Sequence, residues 1–437
     1  MNKSTYWYGS SPKSWENTKV KLLFKVKNGG TPKSEVKEYW DENGLIWFTP
    51  EDVSKEGKNI NDSKRKISIL GMENSSANFV EPYSLVLSTR APIGNLKLST
   101  VKFTTNQGCK SLEGISNLDM DYYYYFFSIA KEYLNSLGQG TTFLELSNSS
   151  LKNIEVPLPD LNTQRAIANF LNKKTQNIDD LIQAKLKLIE LLEEKRQSMI
   201  TEAVTKGLNP NVKMKDSGVE WIGEIPDHWI VNKIKRVVEI LTCGYASTPT
   251  YVEKEEGVPF LSAQNVSKSG KLVLDKYNYI SHELHSSLTK YKSPLKGDIL
   301  QVRVGAGIGQ TCIIDVDFEF SIYVSLTHIR PSKFIHNRFL KYLLSSKKFN
   351  EFASMQTLQA GGVGNLNVSD LEKSRIPYPN LQEQIKISDY LDQKVAEIEE
   401  VIDALKTQIE KLKDYRQSLI YEAVTGKIDV RDFEIEA

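Results

Sequence analysis

Three stretches of the sequence carry residue types that could perform catalysis, and each departs from the pattern that its chemistry needs. The glycines of VGAGIGQ, Val304–Gln310, have the spacing G-x-G-x-G rather than the G-x-G-x-x-G of dinucleotide-binding proteins, and no acidic residue follows about 20 positions later. The histidines of HELH, His282–His285, stand three apart, whereas the zinc metalloprotease motif needs four. Glu193 and Lys195 form an E-x-K pair inside a helical pattern, where such charges usually form a solvated flank. We interpret VGAGIGQ as a glycine-rich turn and predict neither a catalytic residue nor a metal site.

Other signatures of catalysis or metal binding are missing from the sequence. It contains no Walker A lysine loop and no Pro-Pro dipeptide. The second absence removes the (D/N/S)-P-P-(Y/F) loop with which amino-methyltransferases hold a flipped base. Cys109, Cys243 and Cys312 lack the C-x-x-C spacing of zinc and redox sites, so we predict that they are reduced and structural.

Composition and charge narrow the class of protein. The 437 residues are 40% hydrophobic and 25% charged, as in an ordinary globular protein. No apolar run approaches the roughly 18 residues of a membrane span, and the N-terminal region holds no apolar signal segment, so we expect a cytoplasmic location. The net charge is only +1, but residues 1–156 and 211–376 are mildly basic and residues 377–437 are acidic. This distribution permits a phosphate-binding face on each basic segment, although charge alone fits two ordinary solvated surfaces too.

The chain repeats itself at about half its length. WIGEIPDHW, Trp221–Trp229, and WYGSSPKSW, Trp7–Trp15, share the pattern W-x-G-x-x-P-x-x-W at a shift of 214 residues. Residues 157–205 and 377–425 repeat at a shift of 220 and are identical at 21 of 49 positions. A duplication of the whole chain explains these matches.

The repeated segments predict two long helices that pair through a coiled-coil seam. Apolar residues recur in each at alternating spacings of three and four. The predicted seam contains Leu171, Ile178, Ile182, Ile189 and Leu192 in the first helix and Leu391, Ile398, Ile402, Leu405, Ile409 and Leu412 in the second. Asp160 and Asn380 are the predicted N-caps, and Gly207 and Gly426 the stops.

Each helix is too long to be buried within a small domain. A helix of about 45 residues spans roughly 65 to 70 Å. We expect the two helices to pair with each other, because their seams match in length and register. The alternatives are that each helix packs on its own domain or on a second chain. Thr175, Lys185 and Arg196 make the first seam less apolar than the second.

The segments that precede the helices predict small sheets. Short apolar runs such as Ser84–Arg90 and Gly297–Arg303 are punctuated by Gly, Asn and Pro. One amphipathic helix is expected in each segment, near Asp121 in DYYYYFFSIAKEYL and near Arg338 in RFLKYLLSSKKF. The tyrosine run could stack on bases, but aromatic side chains on such a helix mostly serve the core. The prediction is an α+β fold with two similar domains and two long paired helices.

These features resemble the specificity subunit of type I restriction-modification enzymes. The resemblance rests on P-x-P-x-L-x-x-Q at Pro157, Pro159, Leu161 and Gln164, and on R-Q-S-x-I-x-E-A-V-T at Arg196–Thr205, both repeated in the second half. WIGEIPDHW resembles the entry to the second recognition domain of that family, and its tryptophans are expected to pack as core anchors. The parts that the resemblance implies are target recognition domain 1 at residues 1–156, spacer helix 1 at 157–210, target recognition domain 2 at 211–376, and spacer helix 2 with a C-terminal tail at 377–437.

The resemblance implies a role without catalysis. Each recognition domain would read one half of a bipartite, asymmetric site in double-stranded DNA. The helices would pair antiparallel within the chain, set the spacing and dock two modification (methyltransferase) subunits. S-adenosylmethionine would be bound by those subunits, and ATP and magnesium by restriction (translocase-endonuclease) subunits, so this chain would bind no cofactor. The alternatives are a free-standing coiled-coil DNA-binding or scaffold protein and a single-chain DNA methyltransferase or nuclease.

Candidate base contacts are polar residues on loops that differ between the two copies. Reading bases takes Arg, Lys, Asn, Gln, Ser or Thr held against a groove. Each candidate fits a turn or capping role equally well. The candidates are Arg90, Asn95, Thr105, Asn106, Gln107, Gln139 and Thr141 in the first domain, and Gln264, Asn265, Arg303, Gln310 and Gln359 in the second.

Paired helices of fixed rise predict that their length sets the distance between the half-sites. Insertion of one heptad after Ala184 and one after Ala404 keeps the seam in phase and adds about 10 Å. At 3.4 Å per base pair, this lengthens the gap by roughly three base pairs and rotates one half-site by about 100°. We expect either the same half-sites with the longer gap or a marked loss of affinity, measured as the methylated motif with the modification subunits present. An unchanged gap at unchanged affinity would mean that the helices do not measure the site.

Overall fold

The chain folds as two compact units. The computed structural model describes residues 6–115, 117–140, 144–305, 307–359 and 365–430. The first unit is formed by residues 1–185 with 407–437, and the second by residues 186–406. Each unit holds one strand-rich domain, for which we keep the predicted name of recognition domain, with a segment of both long helices, so the unit boundaries fall within the helices. Across the described residues, no helix is both long and apolar enough to cross a membrane.

The first unit is mainly built from short strands, followed by a long helix. Its strands are β1 (Glu16–Lys19), β2 (Phe24–Asn28), β3 (Trp40–Phe48), β4 (Lys66–Ile67), β5 (Ser84–Ser88), β6 (Leu96–Ser99), β7 (Thr104–Thr105), β8 (Cys109–Gly114) and β9 (Glu155–Leu158). Its helices are α1 (Val20–Leu23), α2 (Pro50–Val53), α3 (Ile69–Glu73), α4 (Met120–Ser128), α5 (Lys131–Ser136), α6 (Asn148–Lys152) and the first part of α7 (Leu161–Lys206).

The second unit repeats this plan after the end of α7. Its strands are β10 (Met214–Asp216), β11 (Glu224–Pro226), β12 (Ile230–Lys233), β13 (Val238–Cys243), β14 (Tyr251–Val252), β15 (Gly257–Leu261), β16 (Asn278–Ser281), β17 (Ile299–Val302), β18 (Thr311–Ile313), β19 (Ser321–Ile322), β20 (Leu326–Pro331) and β21 (Arg375–Tyr378). Its helices are α8 (His282–Thr289), α9 (Asn337–Ser345), α10 (Lys347–Gln359), α11 (Val368–Lys373) and the first part of α12 (Leu381–Val424).

Both recognition domains assemble their sheets in the same strand order. One sheet runs β2-β8-β5-β6 in the first unit and β13-β20-β17-β18 in the second, with antiparallel pairs throughout. A second sheet runs β4-β3-β7 in the first unit and β16-β15-β19 in the second, where β14 adds an edge strand beside β16. In it, β3 pairs with β7 in parallel, and β15 does so with β19. The duplication that the helices indicated therefore extends to the recognition domains.

The long helices begin and end where the sequence predicts. Asp160 and Asn380 each accept a hydrogen bond, at 3.0 Å, from the backbone N–H three residues later. Gly207 and Gly426 have φ of +75° and +70°, the left-handed conformation that glycine adopts readily at a helix end. Both predicted caps and both predicted stops are confirmed.

Within each unit, the two helix segments pack antiparallel along the predicted seam. In the first unit, Arg416 pairs with Asp179 at 2.9 Å, and Lys185 Nζ donates to Gln408 Oε1 at 2.6 Å. In the second unit, Arg196 pairs with a carboxylate of the facing helix, Glu399, at 3.5 Å. Of the predicted seam residues, the half-buried ones are Ile189, Leu192, Ile398 and Leu412, and the rest are buried. The predicted antiparallel pairing within one chain is confirmed.

A buried glutamine near the start of each long helix fastens the recognition domain to it. Gln164 donates to the carbonyl of Pro159 at 2.8 Å and accepts from the backbone N–H of Asp119 at 3.0 Å. Gln384 repeats both bonds, at 2.9 Å to the proline carbonyl and at 2.7 Å from the backbone N–H of His336. Asp119 and His336 are the N-caps of α4 and α9. The glutamine of P-x-P-x-L-x-x-Q thus joins the linker, the long helix and the domain helix.

The tyrosine run of α4 serves the core. The hydroxyl of Tyr122 donates to the carbonyl of Val424 at 3.0 Å, and the hydroxyl of Tyr125 lies 3.0 Å from that of Thr175. Burial raises the pKa of Tyr125 to about 12, so its hydroxyl keeps its proton at neutral pH. The structural role predicted for this run is confirmed, and Thr175 is explained as its partner.

The tryptophans of the repeated W-x-G-x-x-P-x-x-W segments pack near the ends of the long helices. Trp229 is fully buried, and its Nε1 donates to Glu383 at 3.0 Å. Trp7 stacks on Tyr133 with ring centroids 4.8 Å apart. The side chain of Trp15 lies so close to Gly426 that an added Cβ would be 2.9 Å from its ring. The anchoring role is therefore met most fully by Trp229, since Trp7 and Trp15 are half-buried.

The residues of the rejected catalytic motifs also serve the fold. Gly305 and Gly309 have φ of +89° and +87°, so VGAGIGQ contains the predicted turn. His285 is buried, with Nδ1 2.9 Å from the hydroxyl of Ser321.

Burial raises the pKa of the Cys312 thiol to about 12, which makes it a poor nucleophile at neutral pH.

Loss of the buried glutamine is expected to weaken the second unit. Replacing Gln384 by leucine removes the partner of the buried Pro379 carbonyl and of the part-buried His336 N–H, at an expected cost of about 1–3 kcal/mol in the free energy of unfolding. Gln393→Leu is the matched control, because Gln393 lies on the exposed face of the same helix, where substitutions change stability by less than about 0.5 kcal/mol. Urea denaturation measures both variants. Equal losses would show that the buried hydrogen bonds do not hold the domain to the helix.

Candidate nucleic-acid interface

Three loops meet at one edge of the sheets in the first recognition domain. The hydroxyl of Thr31, in the loop after β2, donates to the side-chain carbonyl of Gln107, in the β7–β8 loop. The loop after β5 joins them, because the backbone N–H of Thr89 donates to the carbonyl of Gly108 at 2.8 Å. Side chains from separate parts of the chain therefore share one surface.

Two further predicted base contacts extend this surface. Arg90 Nε donates to Glu145 at 3.0 Å, and Gln139 and Glu145 exchange backbone hydrogen bonds at 3.0 Å. Arg90 and Gln139 are exposed. Lys110 lies near Arg90 and Glu145 but is buried, and burial lowers its pKa while Glu145 opposes that change. The exposed cationic group at this place is thus the guanidinium of Arg90.

An arginine stacked on tryptophan, which is not among the predicted base contacts, lies beside the same loops. Arg65 Cζ is 3.7 Å from the ring centroid of Trp40 and 5.8 Å from that of Trp47. Trp47 Nε1 donates to the carbonyl of Gly30, next to Thr31, at 2.9 Å. The basic run SKRKIS could have marked Arg65, but its contact with Trp40 is not visible in the sequence. We call the exposed residues Thr31, Arg65, Arg90, Gln107 and Gln139 the first edge.

The second recognition domain holds its loops with the same backbone hydrogen bonds. We call this shared set of backbone contacts, with the buried side chains that support it, the frame. Its Tyr245 N–H donates to the carbonyl of Ile322 at 2.9 Å, as the Gly30 N–H does to the end of β7 in the first domain. A glycine precedes each donor, because a Cβ at Gly29 or Gly244 would lie 1.8 or 2.2 Å from a backbone oxygen. This close approach of two backbone segments fixes the loops in both domains.

The side chains on the two frames differ. The second edge is defined by strand register and by matching backbone hydrogen bonds. It carries the exposed Asn278 and the half-buried Val304 and Val324 at the places of Arg65, Arg90 and Gln107. The half-buried Asn365 stands at the place of Glu145, which pairs with Arg90 in the first domain. The chain thus presents two chemically different surfaces on one scaffold.

Comparison with known protein families assigns both domains to one family. The family model described as the type I restriction modification DNA specificity domain matches twice, at residues 12–191 and 226–411. The chain belongs to the type I restriction-modification specificity family. Each match contains one edge and most of the long helix that follows it, so this chain has the role of a DNA specificity subunit.

Named relatives agree with this assignment, and solved structures share the fold. The chain is 27% identical to the type I restriction enzyme MjaIX specificity subunit of Methanocaldococcus jannaschii, over 97% of this chain and 96% of the relative. It is 30% identical to the MjaVIII specificity subunit of the same organism, over 72% of each chain. A solved chain from work on complex assembly and conformational transition of the type I R-M system shares the fold, with a TM-score of 0.73 at 18% identity over 96% of this chain and 100% of that one. The HsdS subunit of Thermoanaerobacter tengcongensis has a TM-score of 0.52 at 17% identity, over 98% of this chain and 100% of that one.

Three predicted base contacts of this specificity subunit lie inside the fold. Thr105 is 2% exposed within β7. Asn265 is 1% exposed, and its side chain accepts from the backbone N–H of Ser262 at 2.9 Å. Arg303 is 7% exposed and donates from Nε to the carbonyl of Leu366 at 3.0 Å. These side chains support the frame, and base contact by them stays a prediction that the geometry does not favour.

The capping role of Asn265 recurs in the first domain. Asp52, at the corresponding place, accepts from the backbone N–H of Thr49 at 3.1 Å and is fully buried. Because both copies use this residue to cap a short helix, the pair belongs to the shared frame of the specificity subunit. A sequence alignment of the two halves could have indicated this role.

The other predicted contacts lie at or near the surface with partners of their own. Asn95 accepts from Lys131 Nζ at 2.9 Å, and Asn106 accepts from the backbone N–H two residues later at 2.9 Å. Gln264 is exposed and donates to the carbonyl of Lys276 at 3.4 Å.

The remaining predicted contacts are Gln310, Gln359 and Thr141. Gln310 is half-buried beside the glycine turn. Gln359 is the last residue of α10, and its side chain lies outside the described part of the chain. Thr141 lies outside the described residues altogether.

Two predicted base contacts of the second domain are expected to differ in their effect on stability. Replacing Arg303 by methionine removes the bond to the Leu366 carbonyl in a buried site, so the free energy of unfolding should fall by about 1–3 kcal/mol. Replacing the exposed Gln264 by alanine should change it by less than about 0.5 kcal/mol. Urea denaturation of the two variants makes the comparison. An Arg303 variant as stable as the wild type would contradict a structural role for this side chain in the frame.

Proposed function

We propose that each recognition domain of this specificity subunit reads one half of a bipartite, asymmetric DNA site, and that the chain itself performs no catalysis. The observation that carries the proposal is the shared frame with different edges. A reader of two different half-sites needs a constant scaffold to hold its loops and different side chains to face the bases. The first edge offers Arg and Gln, whereas the second offers Asn and Val.

The chemistry of the edges supports direct reading of base pairs. Arg presents two parallel donors that match the O6 and N7 acceptors of guanine, whereas Gln presents one donor and one acceptor that match N7 and the N6 amino group of adenine in the major groove. Valine at the places of Arg90 and Gln107 provides apolar contact, which suits the methyl group of thymine. The two edges therefore favour different sequences.

The remaining chemistry is assigned to partners. Two modification subunits would bring S-adenosylmethionine and the methylating site, and restriction subunits would bring ATP, magnesium and cleavage. Exposed apolar side chains on α7 support docking of another protein, since Leu188 and Leu191 are 44% and 48% exposed on neighbouring positions of one helix face. Membership in a restriction-modification family disfavours the alternative of a free-standing scaffold protein. The alternative of a single-chain enzyme has no support, because the sequence lacks the catalytic motifs that it would need.

The proposal is tested by exchanging one recognition domain. Residues 16–150 are replaced by the matching domain of a relative, and the variant is expressed with the modification subunits in a host that lacks the system. Methylome sequencing should show one half of the motif changed and the other half, with the gap, intact. The exchanged segment begins at β1, whose pairing with the retained β9 connects the new domain to the linker that precedes α7.

Two controls complete the experiment. The chain expressed without modification subunits should leave host DNA unmethylated, and those subunits without the chain should not methylate the motif. Change or loss of both half-sites in a variant that still folds and assembles would contradict independent readers. Methylation by the isolated chain would overturn the non-catalytic role.

A further inference from the structure

We infer that Arg65 reads a guanine in the half-site of the first recognition domain. The inference rests on the proposed function and assigns one base to one side chain. Arginine commonly contacts guanine through two parallel hydrogen bonds to O6 and N7. Such a contact needs an exposed guanidinium that is held in place and has no competing carboxylate.

The aromatic pair beneath Arg65 holds its guanidinium in place. The guanidinium carbon lies 3.7 Å from the Trp40 ring centroid, within the range of a cation–π contact. Trp40 and Trp47 pack edge to face with centroids 5.2 Å apart, which fixes the platform itself. A planar guanidinium stacked on a fixed ring loses less conformational entropy when it binds than a free side chain does.

Arg65 differs from its charged neighbours in having no acidic partner among the described residues. Lys64 pairs with Glu51 at 2.9 Å, and Lys66 pairs with Asp62 at 3.1 Å. Arg90 on the same edge is paired with Glu145, and Arg303 of the second domain is buried. The donors of Arg65 therefore remain available to a ligand, while the flanking lysines are engaged.

The position of Arg65 places it among the other candidate readers. Trp47 connects Arg65 to Gly30 through the bond at 2.9 Å, and Thr31 follows with its contact to Gln107. Arg65 immediately precedes β4, whose first residue, Lys66, pairs with Ile46 of β3. It is thus attached to a sheet, which gives a reader better-defined geometry than a free loop does.

The second domain presents a different reader at the same place. There Pro259 pairs with Tyr279, so Asn278 occupies the place of Arg65, and Tyr251 occupies the place of Trp40. Asn278 is exposed, as Arg65 is. Asparagine suits adenine rather than guanine, so this position changes its base preference between the domains while the strands beneath it stay constant.

The test is a thermodynamic cycle, in which DNA-binding affinity is measured for a variant of the chain, for a modified base and for both changes together. The complex of the chain with its modification subunits is bound to duplexes in which each guanine of the first half-site, on either strand, is replaced in turn by 7-deazaguanine, which lacks N7. For the wild-type complex, we expect one guanine at which this replacement weakens binding about fivefold or more. Arg65→Ala should weaken binding to the unmodified duplex about five- to 150-fold and should show no further loss at that one guanine.

Two more variants separate base reading from charge and from folding. Arg65→Asn copies the second domain, so it should fold and yield a methylated motif that no longer requires the guanine. Lys64→Ala removes a neighbouring positive charge and should weaken binding evenly while the 7-deazaguanine penalty persists. Urea denaturation checks that the Arg65 variants are as stable as the wild type, as expected for an exposed residue.

The outcomes distinguish this inference from the proposed function. If Arg65→Ala and Arg65→Asn keep the wild-type motif and the full penalty at every guanine, or if the first half-site contains no guanine, Arg65 is not the reader, although the bipartite readers stand. If the wild-type complex shows no bipartite motif at all, the proposed function itself fails.

Discussion

The burial of one face of two long helices is the constraint on which the rest of the structure depends. Neither helix can hide its apolar seam within a small domain, so each needs a partner along its length. The partner comes from the other half of the sequence, and each compact unit contains segments of both helices. The hydroxyl of Tyr122 bonds to the carbonyl of Val424, far away in the chain, inside the first unit. The recognition domain of the first unit is therefore completed by the last helix.

Polar residues in the seam give the pairing its register. Lys185, Arg196 and Arg416 interrupt an apolar face, and each finds a partner on the facing helix within its unit. Polar seam residues of this kind reduce stability relative to apolar ones but disfavour shifted pairings, which leave them unpaired. The buried glutamines add a second fixed point, because each one joins a helix to its own domain in the same way. A single geometry satisfies both sets of bonds.

The contrast between frame and edge explains how one duplicated scaffold can serve two sequences. Contacts in the frame tolerate no change, since a Cβ at Gly29 or Gly244 would overlap a backbone oxygen. Buried capping residues such as Asp52 and Asn265 are held equally firmly. Exposed edge residues make few internal contacts, so their replacement costs little stability. Arginine at position 65 and asparagine at position 278 show that freedom at one equivalent place.

The helices, their caps and stops, the duplication and the family could be predicted from the sequence alone, because periodicity, capping and repeated motifs are local patterns. The sequence also assigned the tyrosine run to the core and VGAGIGQ to a turn. Which polar loop residues face outward could not be predicted in this way, because it depends on how the strands pack. Thr105, Asn265 and Arg303 have the residue types of base readers but lie buried in the frame. Arg65 gained its platform because the pairing of β3 with β4 brings Trp40 beside it, and such contacts between distant residues leave no periodic signal in the sequence.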